Sequence, residues 1–355
     1  MIKNEILNLQ KERVYPSITI LMPTSRITVD ASKEKILLKN LLNDLKEKIK
    51  HKVNKKEADI LLKKVNEITS QIDFLNLKEG LGIFVNERKS FLIKFPFTVP
   101  AMTVIDDTFE TKFLIKQYNR SIEYYLLNLN EKNNSLFRGF NEILDPVVNE
   151  DFPFQMTDVV ETVYEQGTWH YDSAIMERYR QYIRETSKRL KKNIEDNTPV
   201  IVAGVNKLIS LFDELGDFKS IIGKIEGSYD SKDLFELGEK ADKIIKEHLK
   251  KLREKILNDF KDNLGIKKAA FGLLDLWNLA NQGRIETLLV EENYHQPARF
   301  EGNQPVIVNE MNDSLLIEDL VDEIIELVFT QKGKVYFYED GVLKDYQRIG
   351  AILRY

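Results

Sequence analysis

A mixed α/β and α+β chain of several domains is what this sequence predicts, on three grounds. Its 355 residues exceed the roughly 150 of a typical domain, so two or three domains are expected. Apolar stripes of helical period alternate with short β-rich runs from one end to the other. Apolar residues make up 43% and charged residues 31%, enough for buried cores and too apolar for a disordered chain.

The elements follow in order. YPSITILMPT (15–24) reads as a strand ending near Pro23. Leu38, Leu41, Leu42, Leu45 and Ile49 then fall on one helical stripe with Lys and Asp opposite. A basic turn follows, Lys50-His51-Lys52-Val53-Asn54-Lys55-Lys56. Asn54 with Glu57 three residues later predicts a helix start, and Ala58, Leu61, Leu62, Val65, Ile68 and Ile72 supply the second stripe. The result is a helical hairpin with a positive tip. GLGIFV (80–85) and SFLIKFPF (90–97), joined by Asn86-Glu87-Arg88-Lys89, read as a β-hairpin, and 97–110 as extended.

A second region begins near residue 112. IEYYLLNLN (122–130) and NSLFRGF (134–140) read as another hairpin, 141–172 as irregular, and a helix is expected from Ser173 with Ile175, Tyr179, Ile183, Thr186, Leu190 and Ile194 inward. PVIVAG (199–204) reads as a buried strand and IIGKIEGSY (221–229) as an edge-like one. Asp230 and Ser231 are expected to cap a helix whose stripe runs from Leu234 to Phe260, long enough to link two domains. The last region starts near 266: a helix from Leu273 to Gln282 closed by Gly283 as a C-cap glycine, a strand at RIETLLVEE (284–292), a loop over 293–312, a helix from Asp313 to Phe329, and closing strands at 334–339 and 348–355. The expected domains are 1–110, an α+β domain with the basic hairpin; 111–263; and 264–355, an α/β/α-like unit.

Composition excludes several functions. Net charge is −5, which rules out a strongly basic nucleic-acid binder but leaves room for local basic patches. The absence of cysteine removes disulfides, thiol nucleophiles, thiolate zinc sites and iron–sulfur clusters and fits the cytosol. The opening MIKNEILNLQKERVYPS lacks a signal-peptide core, and no apolar run approaches the roughly 20 residues of a membrane span. A soluble cytoplasmic protein without a membrane partner is expected. P-loop, GxGxxG and G-x-S-x-G motifs are missing. The four histidines, His51, His170, His248 and His295, lie far apart in sequence, so no metal and no cofactor are expected.

Three features remain. The basic tip, with Lys50, Lys52, Lys55 and Lys56, is either a solvated turn or a phosphate contact. Arg180, Arg184, Lys188 and Lys192 recur every four residues, widened by Arg178, Arg189 and Lys191; such a stripe is either a solvated face or a track for a nucleic-acid backbone, each cation releasing a counterion. Glu165-Gln166-Gly167-Thr168-Trp169-His170-Tyr171 sets a glycine beside an amide, a tryptophan and a histidine before that helix. It is either a loop plugged by Trp169 or a functional loop held by a scaffold.

The order SITILMP, two helices, GLGIFV and FPF; then YYLLNLNEKNNSLFRGF, the basic helix, PVIVAG and KIEGSYDSKDLFEL; then AAFGLLDLWNLANQGRIETLLVEE and GAILRY resembles the archaeo-eukaryotic class-1 release factors over nearly the whole length, and more closely their bacterial relatives, the bacterial archaeo-eukaryotic release factor-like proteins. The resemblance implies an RNase H-like central domain and an L7Ae-like C-terminal domain, and a role in translation termination, ribosome rescue or quality control. It implies ribosome and tRNA as RNA partners, a GTPase or ATPase as a protein partner, and no DNA. In that family a Gly-Gly-Gln loop before the basic helix serves peptidyl-tRNA hydrolysis. Here the matching stretch has no Gly-Gly-Gln and no paired glycines, and holds Gln166, Gly167 and His170. The family's Asn-Ile-Lys-Ser decoding motif is replaced by Lys52-Val53-Asn54-Lys55, and the second decoding motif carries a cysteine this chain lacks. Three readings follow: a non-catalytic ribosome-binding factor, which is preferred; a peptidyl-tRNA hydrolase whose loop uses Gln166, Gly167 and His170, the histidine as base; and a protein-interaction scaffold. The preference rests on the backbone: Thr168 and Trp169 carry a Cβ, which closes the torsions that paired glycines permit.

Overall fold

The structure is a computed structural model that describes residues 2–26, 31–159, 171–195, 198–216, 218–230, 232–302, 304–308, 316–317 and 319–355. The chain divides into two compact units: residues 1–120 with 253–355, and residues 121–252.

The first unit opens with a helix not anticipated from the sequence, α1 (Ile2–Gln10), which buries Ile6 and Leu9. Its two inward residues are too few to stand out from a charged background. Strand β1 (Arg13–Pro23) is central to an antiparallel sheet of order β3-β2-β1-β4, with β2 at Gly80–Val85, β3 at Ser90–Phe95 and β4 at Met102–Thr108. Both faces of SITILM are buried, the small polar Ser17 and Thr19 included, so the run carries no charged residue. Helices α2 (Ser32–Lys52) and α3 (Lys55–Thr69) pack their stripes on this sheet, and Leu38, Leu41, Leu45 and Ile49 meet Ile18, Ile20 and Met22 in one core.

Helix α4 (Lys112–Tyr118) follows β4. The rest of this unit is built on a mixed sheet of order β10-β16-β11-β15, with β10 at Ala269–Phe271, β11 at Ile285–Glu291, β15 at Lys334–Tyr338 and β16 at Ile349–Leu353. β11 and β15 run parallel, and β16 is antiparallel to β11. Helix α8 (Leu273–Asn281) ends as the sequence predicts: Gly283 follows at φ 69°, a left-handed turn that glycine adopts without Cβ strain. Residues expected as a loop hold a small sheet instead, β12 (Ala298–Glu301) between β13 (Gln304–Ile307) and β14 (Leu316–Ile317). The helix expected from Asp313 begins later, at Leu320: α9 (Leu320–Thr330) is capped by Asp319, whose side chain accepts from the Val321 N–H. The strand pairing of Leu316 and Ile317 with β12 competes with helix extension at that point, and Asp313 itself lies outside the described residues. Helix α9 packs on β11, β15, α8 and α4.

The second unit is a five-stranded sheet of order β7-β6-β5-β8-β9, with β5 at Glu123–Leu129, β6 at Ser135–Phe140, β7 at Ile143–Pro146, β8 at Val200–Gly204 and β9 at Ile221–Glu226. β5, β6 and β7 form an antiparallel meander, and β8 and β9 run parallel to β5. This is the RNase H-like order that the resemblance implies. Tyr124 stands opposite Gly139, where a Cβ would lie 2.1 Å from the tyrosine ring; glycine is required there by close approach. Helices α5 (Tyr171–Asn193) and α6 (Asn206–Leu215) pack together. The long helix is α7 (Leu234–Gly265), whose residues Leu237, Ala241, Ile245 and Leu249 join the core of this unit.

Candidate functional site

Helix α5 is fixed by a buried polar network that the apolar pattern did not reveal. Tyr182, expected on neither face, is fully buried, with Ile183, Thr186 and Leu190 beside it. Its hydroxyl accepts from the Asn134 N–H at 3.0 Å and lies 3.1 and 3.2 Å from the carbonyls of Asn130 and Phe154. Burial pushes the Tyr182 hydroxyl up, so it stays protonated and able to donate. Asn134, also fully buried, donates through Nδ2 to Thr186 Oγ1 at 2.7 Å, and Thr186 donates to the Tyr182 carbonyl at 2.7 Å. The only sequence signal for this arrangement is the i, i+4 spacing of Tyr182 and Thr186.

The same helix is tied to the segment after β7. The Arg189 guanidinium lies 4.1 Å from the centroid of the Phe154 ring and donates to the Asp151 carbonyl at 3.1 Å. Asn193 donates to the Asp151 carboxylate at 2.9 Å, the main reason that carboxyl titrates below its ordinary range, with Lys192 adding to it. Near the N-terminal end of α5, Tyr179 donates to Glu131 at 2.6 Å in the β5–β6 turn, and Lys207 lies 3.8 Å from its ring centroid. Burial first and the Glu131 contact second push the Tyr179 hydroxyl up to about 12. Helix α5, which follows in sequence the loop expected to carry chemistry, is therefore anchored by polar contacts at several points. Gln166, Gly167 and His170 of that loop lie outside the described residues.

The basic stripe on α5 is neutralised locally. Arg180 meets Glu214 at 3.5 Å, Arg184 meets Glu177 at 3.0 Å, Lys188 meets Glu185 at 3.8 Å, and Lys192 meets Glu150 at 2.7 Å and Asp151 at 3.1 Å. Four cations thus face five carboxylates. Arg184, Lys188 and Lys192 are exposed and Arg180 half-buried, so the pairs are surface pairs, which contribute little to stability. A phosphate can displace such partners, but the field reaching solvent from the stripe is largely cancelled.

The hairpin tip differs. Asn54 caps α3 by accepting from the Glu57 N–H at 3.1 Å, which sets the turn after Lys52. Lys50 pairs with Glu47 at 2.8 Å. Lys52 folds back, Nζ donating to the Ile105 carbonyl at 2.8 Å, while its own carbonyl accepts from Tyr15 at 2.6 Å. Lys55 and Lys56 are exposed and have no carboxylate partner among the described residues. Lys55 and Lys56 thus lack a carboxylate, whereas Arg180, Arg184, Lys188 and Lys192 each have one within 4 Å, Lys188 sharing Glu185 with Arg189.

Among the described residues no group of three or more His, Asp or Glu side chains could hold a metal ion, and no helix is long and apolar enough to cross a membrane.

Residues 123–284 match the family model of the Bacterial archaeo-eukaryotic release factor family 3. Comparison with curated proteins finds no match. Among solved structures, the archaeal translation termination factor aRF1 is similar at 15% identity, covering 99% of this chain and 98% of that one, with a TM-score of 0.27. A ribosome-bound archaeal Pelota, solved with ABCE1, is similar at 13% identity over 99% of this chain and 94% of that one, TM-score 0.40. Dom34 from S. cerevisiae, described as a translation termination-like factor of RNA quality control that interacts with Hbs1, is similar at 14% identity over 78% of this chain and 80% of that one, TM-score 0.38.

Proposed function

We propose that this chain, a bacterial archaeo-eukaryotic release factor-like protein, binds the ribosome in translation termination, rescue or quality control, and that it does so without Gly-Gly-Gln hydrolysis. The observation that carries the reading is the pairing of that family match, centred on the β5–β9 sheet, with a sequence in which no two glycines are adjacent. Water attack on a peptidyl-tRNA ester needs a donor preorganised at the developing oxyanion. Paired glycines permit the backbone torsions that aim one, and Thr168 and Trp169 close them. RNA contact is assigned first to Lys55 and Lys56 with Lys50 and Lys52, and second to Arg180, Arg184, Lys188 and Lys192, because the latter must first give up their carboxylates. The tip lacks the family's decoding motif, so binding is independent of the codon in the A site. A tRNA contact, a GTPase or ATPase partner, a cytoplasmic location and a finer division at 110/111 and 263/264 belong to the same proposal.

Sedimentation with empty and stalled ribosomes across a salt series tests the binding. Cosedimentation that falls with salt is expected, and its absence at low salt would overturn the reading. Single-turnover release of labelled peptide tests the chemistry. A rate above background that is lost in Gln166→Ala or Gly167→Ala would instead establish the hydrolase with a substitute loop.

A further inference from the structure

The second unit holds a cleft of about 530 Å³ that neither basic feature touches. It lies past the carboxyl end of β5, bordered by the β5–β6 turn, the residues after β7 and the connection from β9 to α7. In open α/β sheets, ligands bind outside the carboxyl ends of the strands, and β5 and β9 both run toward this end. The volume falls within the range of small-ligand sites.

Three properties of the lining specify a ligand. First, Phe137 and Tyr229 line the cleft, are themselves buried and belong to one core cluster, giving an aromatic floor. Second, Lys132 and Lys232 are exposed, stand at the cleft and form no ion pair among the described residues; Asp230 is the one carboxylate among the described lining residues. The balance favours an anion. Third, Asn128, only 5% exposed, lines the cleft. Its Nδ2 donates to the Tyr229 carbonyl at 2.9 Å, while its buried Oδ1 has no partner. A buried acceptor without a donor is unfavourable, so the site favours a ligand that offers it a hydrogen-bond donor. An ionised fatty acid has no such group, and inorganic phosphate has no apolar face for the floor. A planar amino-bearing heterocycle has one, together with a face for the apolar floor.

We infer that this cleft is a nucleotide site. An amino-bearing base lies on the Phe137–Tyr229 floor and donates to Asn128 Oδ1, and its phosphate is met by Lys132 and Lys232. The nucleotide is either free or one unit of single-stranded RNA; the chemistry is shared. The inference does not depend on ribosome binding and survives or fails separately from it.

The test is calorimetric titration of the full-length chain with AMP, with a five-residue oligoadenylate RNA, with ribose 5-phosphate and with inorganic phosphate. Saturable binding of AMP or of the oligonucleotide is expected, at least tenfold tighter than ribose 5-phosphate or phosphate. Binding of AMP as tight as the oligonucleotide assigns the free nucleotide. Tighter oligonucleotide binding, displaced by AMP, assigns RNA. Lys132→Glu with Lys232→Glu, both on the surface, should weaken either ligand at least tenfold with an unchanged melting temperature. Val148→Trp, at an exposed residue of the lining, should do so by filling the cleft without changing its charge. Absence of binding up to millimolar ligand, equal affinity for phosphate and AMP, or affinity unmoved by both variants would overturn the assignment.

Discussion

Charge reversal at the hairpin tip should alter RNA binding more than the same change on α5, although α5 carries the longer basic stripe. The comparison pairs Lys55→Glu/Lys56→Glu with Arg184→Glu/Lys188→Glu. Each phosphate neutralised by a free cation adds about 0.7 to 0.9 to the salt slope of log affinity. Lys55 and Lys56 have no carboxylate partner among the described residues, so losing both should lower the slope by about 1.4 to 1.8. Between 50 and 200 mM salt, that amounts to roughly a tenfold smaller fall in affinity across the range. Arg184 is already paired with Glu177 at 3.0 Å, and Lys188 lies 3.8 Å from Glu185, which it shares with Arg189. Their contact with a phosphate exchanges one anion for another, and its loss should lower the slope by less than about 1. The assay is cosedimentation with ribosomes at five or more salt concentrations, with melting temperatures to confirm folding. An unchanged slope for the tip variant, or a larger drop for the α5 variant, would refute the reasoning from local neutralisation.

Three further outcomes are expected. Tyr182→Phe removes the hydroxyl that links Asn134, Asn130 and Phe154 and should cost about 1 to 2 kcal/mol in denaturant unfolding; a loss below about 0.3 kcal/mol would show that the network contributes little to anchoring α5. Gly139→Ala drives a methyl into the Tyr124 ring at 2.1 Å and should cost about 1 to 3 kcal/mol by overpacking, readable in the same unfolding curves. Glu326→Gln should raise the melting temperature at neutral pH. Burial, outweighing the hydrogen bond from Gln10, holds the Glu326 carboxyl above its ordinary range. The folded chain therefore binds that proton more tightly than the unfolded chain, and stability is lost as pH rises through the folded value. Glutamine imitates the protonated form, so its advantage should vanish below the ordinary carboxyl range near pH 4. An advantage that persists at pH 3.5, or none at pH 7, would contradict this sign.

What the sequence determined by itself is local and periodic. The stripes of α2 and α3, the Asn54–Glu57 cap, the hairpins β2–β3 and β5–β6, and the Gly283 stop were all legible, because each depends on residues within one or two turns of each other. The short elements were not: α1 buries two residues, and β12 to β14 become strands only by pairing with one another. The candidate sites were legible as residue types and not as electrostatics. Lys192 is neutralised by Glu150, 42 residues away, and Arg180 by Glu214, 34 residues away. Asn128 is left with an unpartnered oxygen because its amide is spent on Tyr229, 101 residues along the chain. Periodicity is set by backbone geometry and can be read along the chain; whether a cation meets a carboxylate or solvent, and whether a buried amide is satisfied, is settled only when the sheets bring distant segments together.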